Sequence, residues 1–254
     1  MRIARFAVAG GDPRFGIVEL EADEGQFPDT IAVIDGDPLA GPVNYTGERI
    51  ALDDARLLAP VIPRSKILAI GKNYAAHAAE FDGEVPPEPL IFMKPNTSVI
   101  GRFCRKVPVE RAAEVIFGYT VANDVTARDL QRSDGQWTRA KGFDTFCPLG
   151  PWSVTHLGID EAADLSLVTS VDGEVKQDAN TNQMVYSIAE LIAYVSAFAT
   201  LLPGDVLLTG TPAGVGPLLA GQRVSVEIDG IGTLTNPVVD DTDDLEDADS
   251  VAAK

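Results

Sequence analysis

The sequence predicts a mainly β architecture with α insertions, an α+β chain opening with a small β-rich module, and three observations support this. Short apolar runs alternate with Gly, Pro and Asp punctuation, as strands and turns do. Two longer runs, "IFGYTVANDV" and "DVLLTG", are too continuously apolar for a sheet with one wet face. Against these stands one convincing amphipathic helix, "SIAELIAYVSAFATL", with Ile188, Leu191, Ile192, Val195 and Phe198 on one face and Ser187 as N-cap.

The elements follow in order. Residues 1 to 60 carry "RIARFAV", "FGIVELE" and "TIAVIDG", a compact β-rich module. Two prolines in "APVIPRSKILAIG" mark a linker, and "KILAIG" is the first strand of a larger domain over residues 61–236. "SLVTSVDGEV" and "RVSVEIDGIGTLTN" add strands. Residues 237–254 hold seven acids and one lysine, the pattern of a solvated tail.

Composition narrows the function classes. The 254 residues are 45% hydrophobic, enough for a sizeable core. Twenty Lys and Arg against 38 Asp and Glu leave a net charge of −18, which speaks against a nucleic-acid surface. No apolar run approaches the roughly 20 residues that cross a bilayer, and "MRIARFAVAGGDPRFG" turns too early for a signal peptide. A cytoplasmic protein is expected. Cys104 and Cys147 form neither a disulfide framework nor a zinc set, and are expected to be packing residues.

Three constellations could carry chemistry. In "GKNYAAHAAEF", one helical turn would put His77 and Glu80 on the same face, so that the carboxylate orients an imidazole base. A chance pair on a surface helix is the plainer alternative. In "GQWTRAKGFDTFCPLGPW", Lys141 lies among Trp137, Phe143, Phe146 and Trp152, either an aromatic pocket around an ammonium or core packing with a lysine at its rim. "LLTGTPAGVGP" offers N–H groups and the Thr209 and Thr211 hydroxyls to a carboxylate, or is a plain exit turn. No Gly-Lys-Ser/Thr follows, which rules out a phosphate-binding loop. "GYTVANDVTARDLQ" poses its own question, since Asp124, Arg128, Asp129 and Gln131 crowd behind an apolar strand.

These stretches, with "PLIFMKPNTSVIG" and "VEIDGIGTLTN", stand in the order seen in the fumarylacetoacetate hydrolase family, which the chain resembles from about Ile67 to Asn236. The resemblance implies a mixed β-roll, a homodimer, a divalent metal (Mg²⁺ or Mn²⁺) and small 2-oxo or β-dicarbonyl acid substrates. Three reactions are compatible with it: C–C hydrolysis of acylpyruvates, decarboxylation of oxaloacetate, and isomerisation of an unsaturated dicarboxylate of aromatic catabolism. Matched motif by motif, it assigns Asp124 to the metal and His77 and Glu80 to water activation. Lys141 is assigned to developing negative charge, Thr211 to the substrate carboxylate, Gln131 to the substrate, and Arg128 and Asp129 to the surrounding shell.

One departure concerns the metal. Family members carry a Glu-x-Glu ligand pair between "NTSVIG" and "CRKVPVERA", and here the first runs straight into "RFCRKVP". Glu19 and Glu21 are no substitute, because alternation puts them on the open face of a strand. Either the pair is lost, leaving an inactive homologue that serves as a binding or structural dimer, or a loop is left out of the chain as read. The intact motifs on either side favour an omitted loop.

Overall fold

The computed structural model describes residues 1–21, 28–63, 65–80, 84–94 and 100–240. The acidic tail from residue 241 and most of "NTSVIG" lie outside these residues. Five strands come first: β1 (Arg2–Ala7), β2 (Arg14–Glu19), β3 (Thr30–Asp35), β4 (Asn44–Ala51) and β5 (Arg56–Leu58). β6 (Ile67–Gly71), the short helix α1 (Ala75–Ala79), β7 (Leu90–Lys94) and β8 (Tyr119–Ala122) follow. Helices α2 (Arg128–Asp134) and α3 (Thr138–Lys141) precede β9 (Leu149–Val154) and α4 (Ile159–Ala162). The hairpin β10 (Ser166–Val171) and β11 (Glu174–Asn180), helix α5 (Ile188–Phe198), β12 (Val206–Leu208), β13 (Arg223–Ile228) and β14 (Gly232–Pro237) complete the order. Strands dominate, as expected of a mainly β fold.

Three sheets result. The first runs β4-β3-β2-β1-β9-β8, with β5 also on β1. Residues 2–3 of β1 pair with β9 and residues 5–7 with β5, so the N-terminal strands and the later chain share one sheet. The second is the antiparallel ladder β11-β10-β13-β14. "SLVTSVDGEV" is thus a hairpin, turned at Asp172 and Gly173, both at positive φ, which a two-residue loop of matching twist requires. The third, β12-β6-β7, pairs β12 parallel to β6 and β7 antiparallel to it. It carries two candidate site segments on its exits, the turn after β6 leading to His77 and the turn after β12 leading to Thr211.

Phe6, Ile31, Val33, Val121, Trp152, Val154, Val226 and Leu234 form the principal core between the first two sheets. Trp152, expected beside Lys141, is buried there instead and donates its indole N–H to the Ile231 carbonyl at 2.7 Å. Burying so large a ring is stabilising only if its N–H finds a partner, and the β13–β14 turn supplies one. A second core packs α5 against the 3₁₀ turn Val109–Val115 through Ile188, Ile192, Val195, Ala112 and Val115. Ser187 caps α5 as expected, with Glu190 closing the box. Phe198, expected on the buried face, is 58% exposed, and Ser196 is buried in its stead, accepting the Val107 N–H at 2.9 Å.

The junction at Gly101 is a folded part of the molecule. Gly101 N–H donates to the Val115 carbonyl at 2.9 Å, Ile100 bridges Ile116, and Cys104 and Leu201 exchange both backbone hydrogen bonds at 2.9 Å. Over residues 100–116 the chain is paired onto its neighbours, and this stretch carries no Glu-x-Glu pair. Beside the junction opens a cavity of about 320 Å³ lined by Ile3, Val43, Gly101, Arg102, Ile116 and Phe117. None of the candidate site residues lines it. Cys104 is buried, with its thiol pushed up by desolvation, and Cys147 is half-buried.

Candidate active site

β6 is apolar because it is the middle strand of its sheet, and the chain leaves it through Lys72-Asn73-Tyr74. Asn73 is fully buried, and its amide closes three hydrogen bonds: to the Thr209 carbonyl at 2.7 Å, to the Tyr186 carbonyl at 3.0 Å, and from the Tyr186 N–H at 2.8 Å. One side chain thereby locks the exit of β6 to the exit of β12 and to the segment before α5. The α1 turn then brings His77 Nδ1 to 2.8 Å from Glu80 Oε2, as the i, i+3 spacing anticipates. Glu80 Oε1 accepts the Gly214 N–H at 2.6 Å. The carboxylate is held from two sides while His77 is 7% exposed, so the imidazole has one orientation. Gly214 has φ +101°, and a Cβ there would stand 1.9 Å from the Lys176 carbonyl oxygen, so only glycine delivers this N–H.

β8 and β7 deliver the second cluster. Asp124 follows β8, and its two oxygens each accept an ammonium proton, Oδ1 from Lys94 and Oδ2 from Lys141, both at 2.6 Å. The lysine side chains are 0% and 5% exposed. Lys141 also donates to Thr126 Oγ1 at 2.9 Å, and Lys94 to the Val125 carbonyl at 3.2 Å. Burial pushes the Lys141 ammonium below its ordinary pKa, and Asp124 opposes that shift. The Lys141 ammonium lies 4.4 Å from the Phe92 ring centre and 5.9 Å from that of Trp137, and these two rings meet edge to face. An aromatic setting for Lys141 was expected, but Phe92 takes the place given to Trp152. Phe143 is 45% exposed and meets Phe146 at a tilt, ring centres 5.2 Å apart.

Arg128 begins α2, where its Nη1 donates to Gln131 Oε1 at 2.9 Å. It is half-buried, and burial lowers its pKa while the charges of Asp124 and Glu80 oppose that shift. Asp129, expected beside it, is exposed and acts on Arg139. The Thr211 hydroxyl accepts from Gln177 Nε2 at 3.0 Å, and the same amide donates to the Pro212 carbonyl at 2.8 Å. The structure thus brings together His77 with Glu80, Asp124 with Lys141, and Arg128 with Gln131. Thr211 sits on the turn that carries Gly214.

Lys94, Asn73, Thr126 and Gln177 escaped the sequence reading. Lys94 had a visible signal, a lysine closing the apolar run "LIFMK" just before a proline. A buried lysine needs a carboxylate partner.

Does this donor set suit a divalent cation? Mg²⁺ sites of this kind use one or two carboxylates with waters and ligand oxygens. Here Asp124 is the single carboxylate of the cluster among the described residues, and both of its oxygens already face an ammonium. Among the described residues no three His, Cys, Asp or Glu side chains come together as a metal group. Glu19, from the other Glu-x-Glu candidate, pairs with Arg49 at the surface of the N-terminal strands. The residues present do not fit the metal that the family resemblance implies.

Comparison with known proteins agrees with the architecture. Residues 97–239 match the model described as fumarylacetoacetate (FAA) hydrolase C-terminal, and residues 1–60 match Rv2993c-like, N-terminal. Protein Rv2993c of Mycobacterium tuberculosis is 47% identical, with 94% of this chain and 98% of that protein covered. That match spans 264 positions, more than the whole chain, so the relative has residues with no counterpart here. A mitochondrial oxaloacetate tautomerase of Xenopus laevis is 43% identical over 72% of this chain and 68% of its own length. Among solved structures, 2-hydroxyhepta-2,4-diene-1,7-dioate isomerase from Mycobacterium marinum superposes with TM-score 0.81 at 45% identity, covering 94% of this chain and 98% of that one. Fumarylpyruvate hydrolase from Pseudomonas aeruginosa, in complex with Mn²⁺ and pyruvate, gives TM-score 0.64 at 32% identity over 72% of this chain and 97% of that one. Among the described residues no helix is long and apolar enough to cross a membrane. With its C-terminal domain matched over more than half the chain and the same fold in relatives of 45% identity, this chain belongs to the fumarylacetoacetate hydrolase family.

Proposed function

We propose that the chain is an enzyme that moves a proton within a small 2-oxo or β-dicarbonyl acid, interconverting keto and enol or shifting a double bond through an enolate. The observation that carries this reading is the His77–Glu80 pair, held at 2.8 Å with Glu80 anchored on Gly214. With Nδ1–H donated to Glu80, the basic lone pair lies on Nε2. That atom takes the proton from the carbon between the two carbonyls, the C–H electron pair becomes the C=C bond as the carbonyl π pair moves onto the 2-oxo oxygen, and the proton returns to oxygen or to a more distant carbon. The Lys141 ammonium, buried and fixed by Asp124 and Thr126, stabilises the enolate oxygen, since a preoriented charge in a dry site is worth far more than in water. Arg128 and Thr211 receive the carboxylate and Gln131 positions the acid.

Proton transfer needs only an acid–base group and a cationic oxygen site, and both are present. Hydrolysis needs in addition an activated water and a strongly polarised carbonyl. The relatives named as tautomerase and isomerase support the same choice. A homodimer, implied by the family resemblance, belongs to this reading.

The test follows the ultraviolet band of enol-oxaloacetate with and without protein. Faster loss of the enol, abolished in His77→Ala, is the expected result, and an unchanged rate would refute it. The one-carboxylate cluster favours a second reading, a family member that binds such acids without turning them over. It predicts saturable oxalate binding with no effect on the enol band.

A further inference from the structure

We infer that this chain works its site without a divalent cation, the Lys94–Asp124–Lys141 unit occupying the aspartate to which the family resemblance assigns the metal. As a statement about catalysis this rests on the proton-transfer reading above, whereas as a statement about ion binding it stands alone.

Three observations carry it. First, the two ammonium groups meet opposite oxygens of one carboxylate at 2.6 Å, which is a closed pairing. A dication brought to Asp124 would face two buried positive charges at that range in a medium of low dielectric, and would have to displace at least one of them. Second, displacement has nowhere to send the lysines. Lys94 is sealed at 0% exposure against the Val125 carbonyl, and Lys141 is wedged between Thr126 and the Phe92 ring. Third, among the described residues no further carboxylate joins Asp124 as a metal group, and the sequence carries no Glu-x-Glu pair between "NTSVIG" and "CRKVPVERA".

The charge arithmetic then favours an anion. Two ammoniums against one carboxylate leave the unit with one positive charge, and Arg128 adds a second nearby. The Lys141 ammonium has three N–H donors and makes two hydrogen bonds among the described residues, which keeps one for a ligand oxygen, while the sealed Lys94 balances Asp124. The ligand class is a small 2-oxo acid anion presenting adjacent carboxylate and enolate oxygens, bound by Lys141 and Arg128 directly and not through a shared ion.

The two tryptophans make the test direct. Trp137 lies on the Lys141 ammonium, so a paramagnetic ion on Asp124 would broaden its indole N–H resonance, whereas Trp152 is buried in the principal core and serves as reference. The wild-type chain, freed of metal with EDTA, is titrated with Mn²⁺ alone and with Mn²⁺ plus oxalate, in salt sufficient to screen the acidic surface. Trp137→Phe assigns the two signals. Expected are equal, slight effects on both resonances in both titrations, with oxalate binding retained in EDTA and weakened about tenfold to a hundredfold in Lys141→Met. Selective broadening of Trp137, by Mn²⁺ alone or only once oxalate is present, would overturn the inference. So would enol conversion that appears only when Mg²⁺ or Mn²⁺ is added back. If no enol conversion is found under any condition, the proton-transfer reading fails, and the Trp137 signal by itself decides the ion-binding inference.

Discussion

The buried Asn73 amide donates to the Thr209 carbonyl at 2.7 Å, and this bond fastens the strand exit that leads to His77 to the one that leads to Thr211 and Gly214. Because the same side chain also closes both hydrogen bonds to Tyr186, its removal strands several buried backbone groups. Asn73→Ala is expected to lose about 3 kcal/mol, from unsatisfied buried partners at roughly 1–3 kcal/mol each. A urea midpoint within error of wild type would contradict this.

Glu80 is held by His77 and Gly214 together, so its loss should act on the base and not on the fold. Glu80→Gln keeps the size and one acceptor, yet removes the charge that stabilises an imidazolium. We expect enol conversion to fall roughly tenfold to a hundredfold, and His77→Ala to lose about two to four powers of ten, the usual worth of general base catalysis. Both variants should melt close to wild type in a circular dichroism scan.

Gly214→Ala gives a separate handle on the same carboxylate. A methyl group there would meet the Lys176 carbonyl, so the turn must shift and the N–H moves away from Glu80. The expected signature is a loss of kcat clearly larger than the loss of oxalate affinity, since Thr211 shares the turn while the Lys141 cluster is untouched. Parallel losses in both would mean that the turn serves the whole site.

Asp124 is the single anion between two buried cations, and removing it leaves them uncompensated. Asp124→Asn should destabilise by about 3–5 kcal/mol, the cost of breaking a buried pair from one side. Lys141→Met should cost less, because Lys94 still neutralises Asp124 and the apolar replacement packs on Phe92. The order of the two thermal midpoints checks the argument.

A net charge of −18 predicts salt dependence of a definite sign. Raising salt from about 0.1 M to about 1 M shortens the screening length from roughly 10 Å to roughly 3 Å, which weakens repulsion among the surplus carboxylates more than the close buried pairs. The thermal midpoint should rise by a few degrees, about what 1 kcal/mol gives for a chain of this size. A falling midpoint would show that exposed ion pairs such as Arg14–Glu48 outweigh the repulsion.

Local rules made part of this molecule readable from its residues. Alternation and turn chemistry marked the strands, the Ser187–Glu190 spacing marked the start of α5, and the i, i+3 step set His77 against Glu80, because each relation is fixed within one or two turns of backbone. Motif order brought the family into view. What stayed hidden depends on which distant segments share a sheet. Lys94 meets Asp124 because β7 and β8 end at the same place, and no spacing between residues 94 and 124 encodes that. Trp152 belongs to the core because β9 lies between β1 and β8, where its ring faces the β13–β14 turn. Asp205 reads as one more acid in an acidic chain, yet it is fully buried and binds the Lys66 backbone and ammonium, because β12 lies parallel to β6 there. Residue type and period fix local geometry. Which buried charges find each other is decided by the register of strands far apart in the chain, where desolvation enforces pairing.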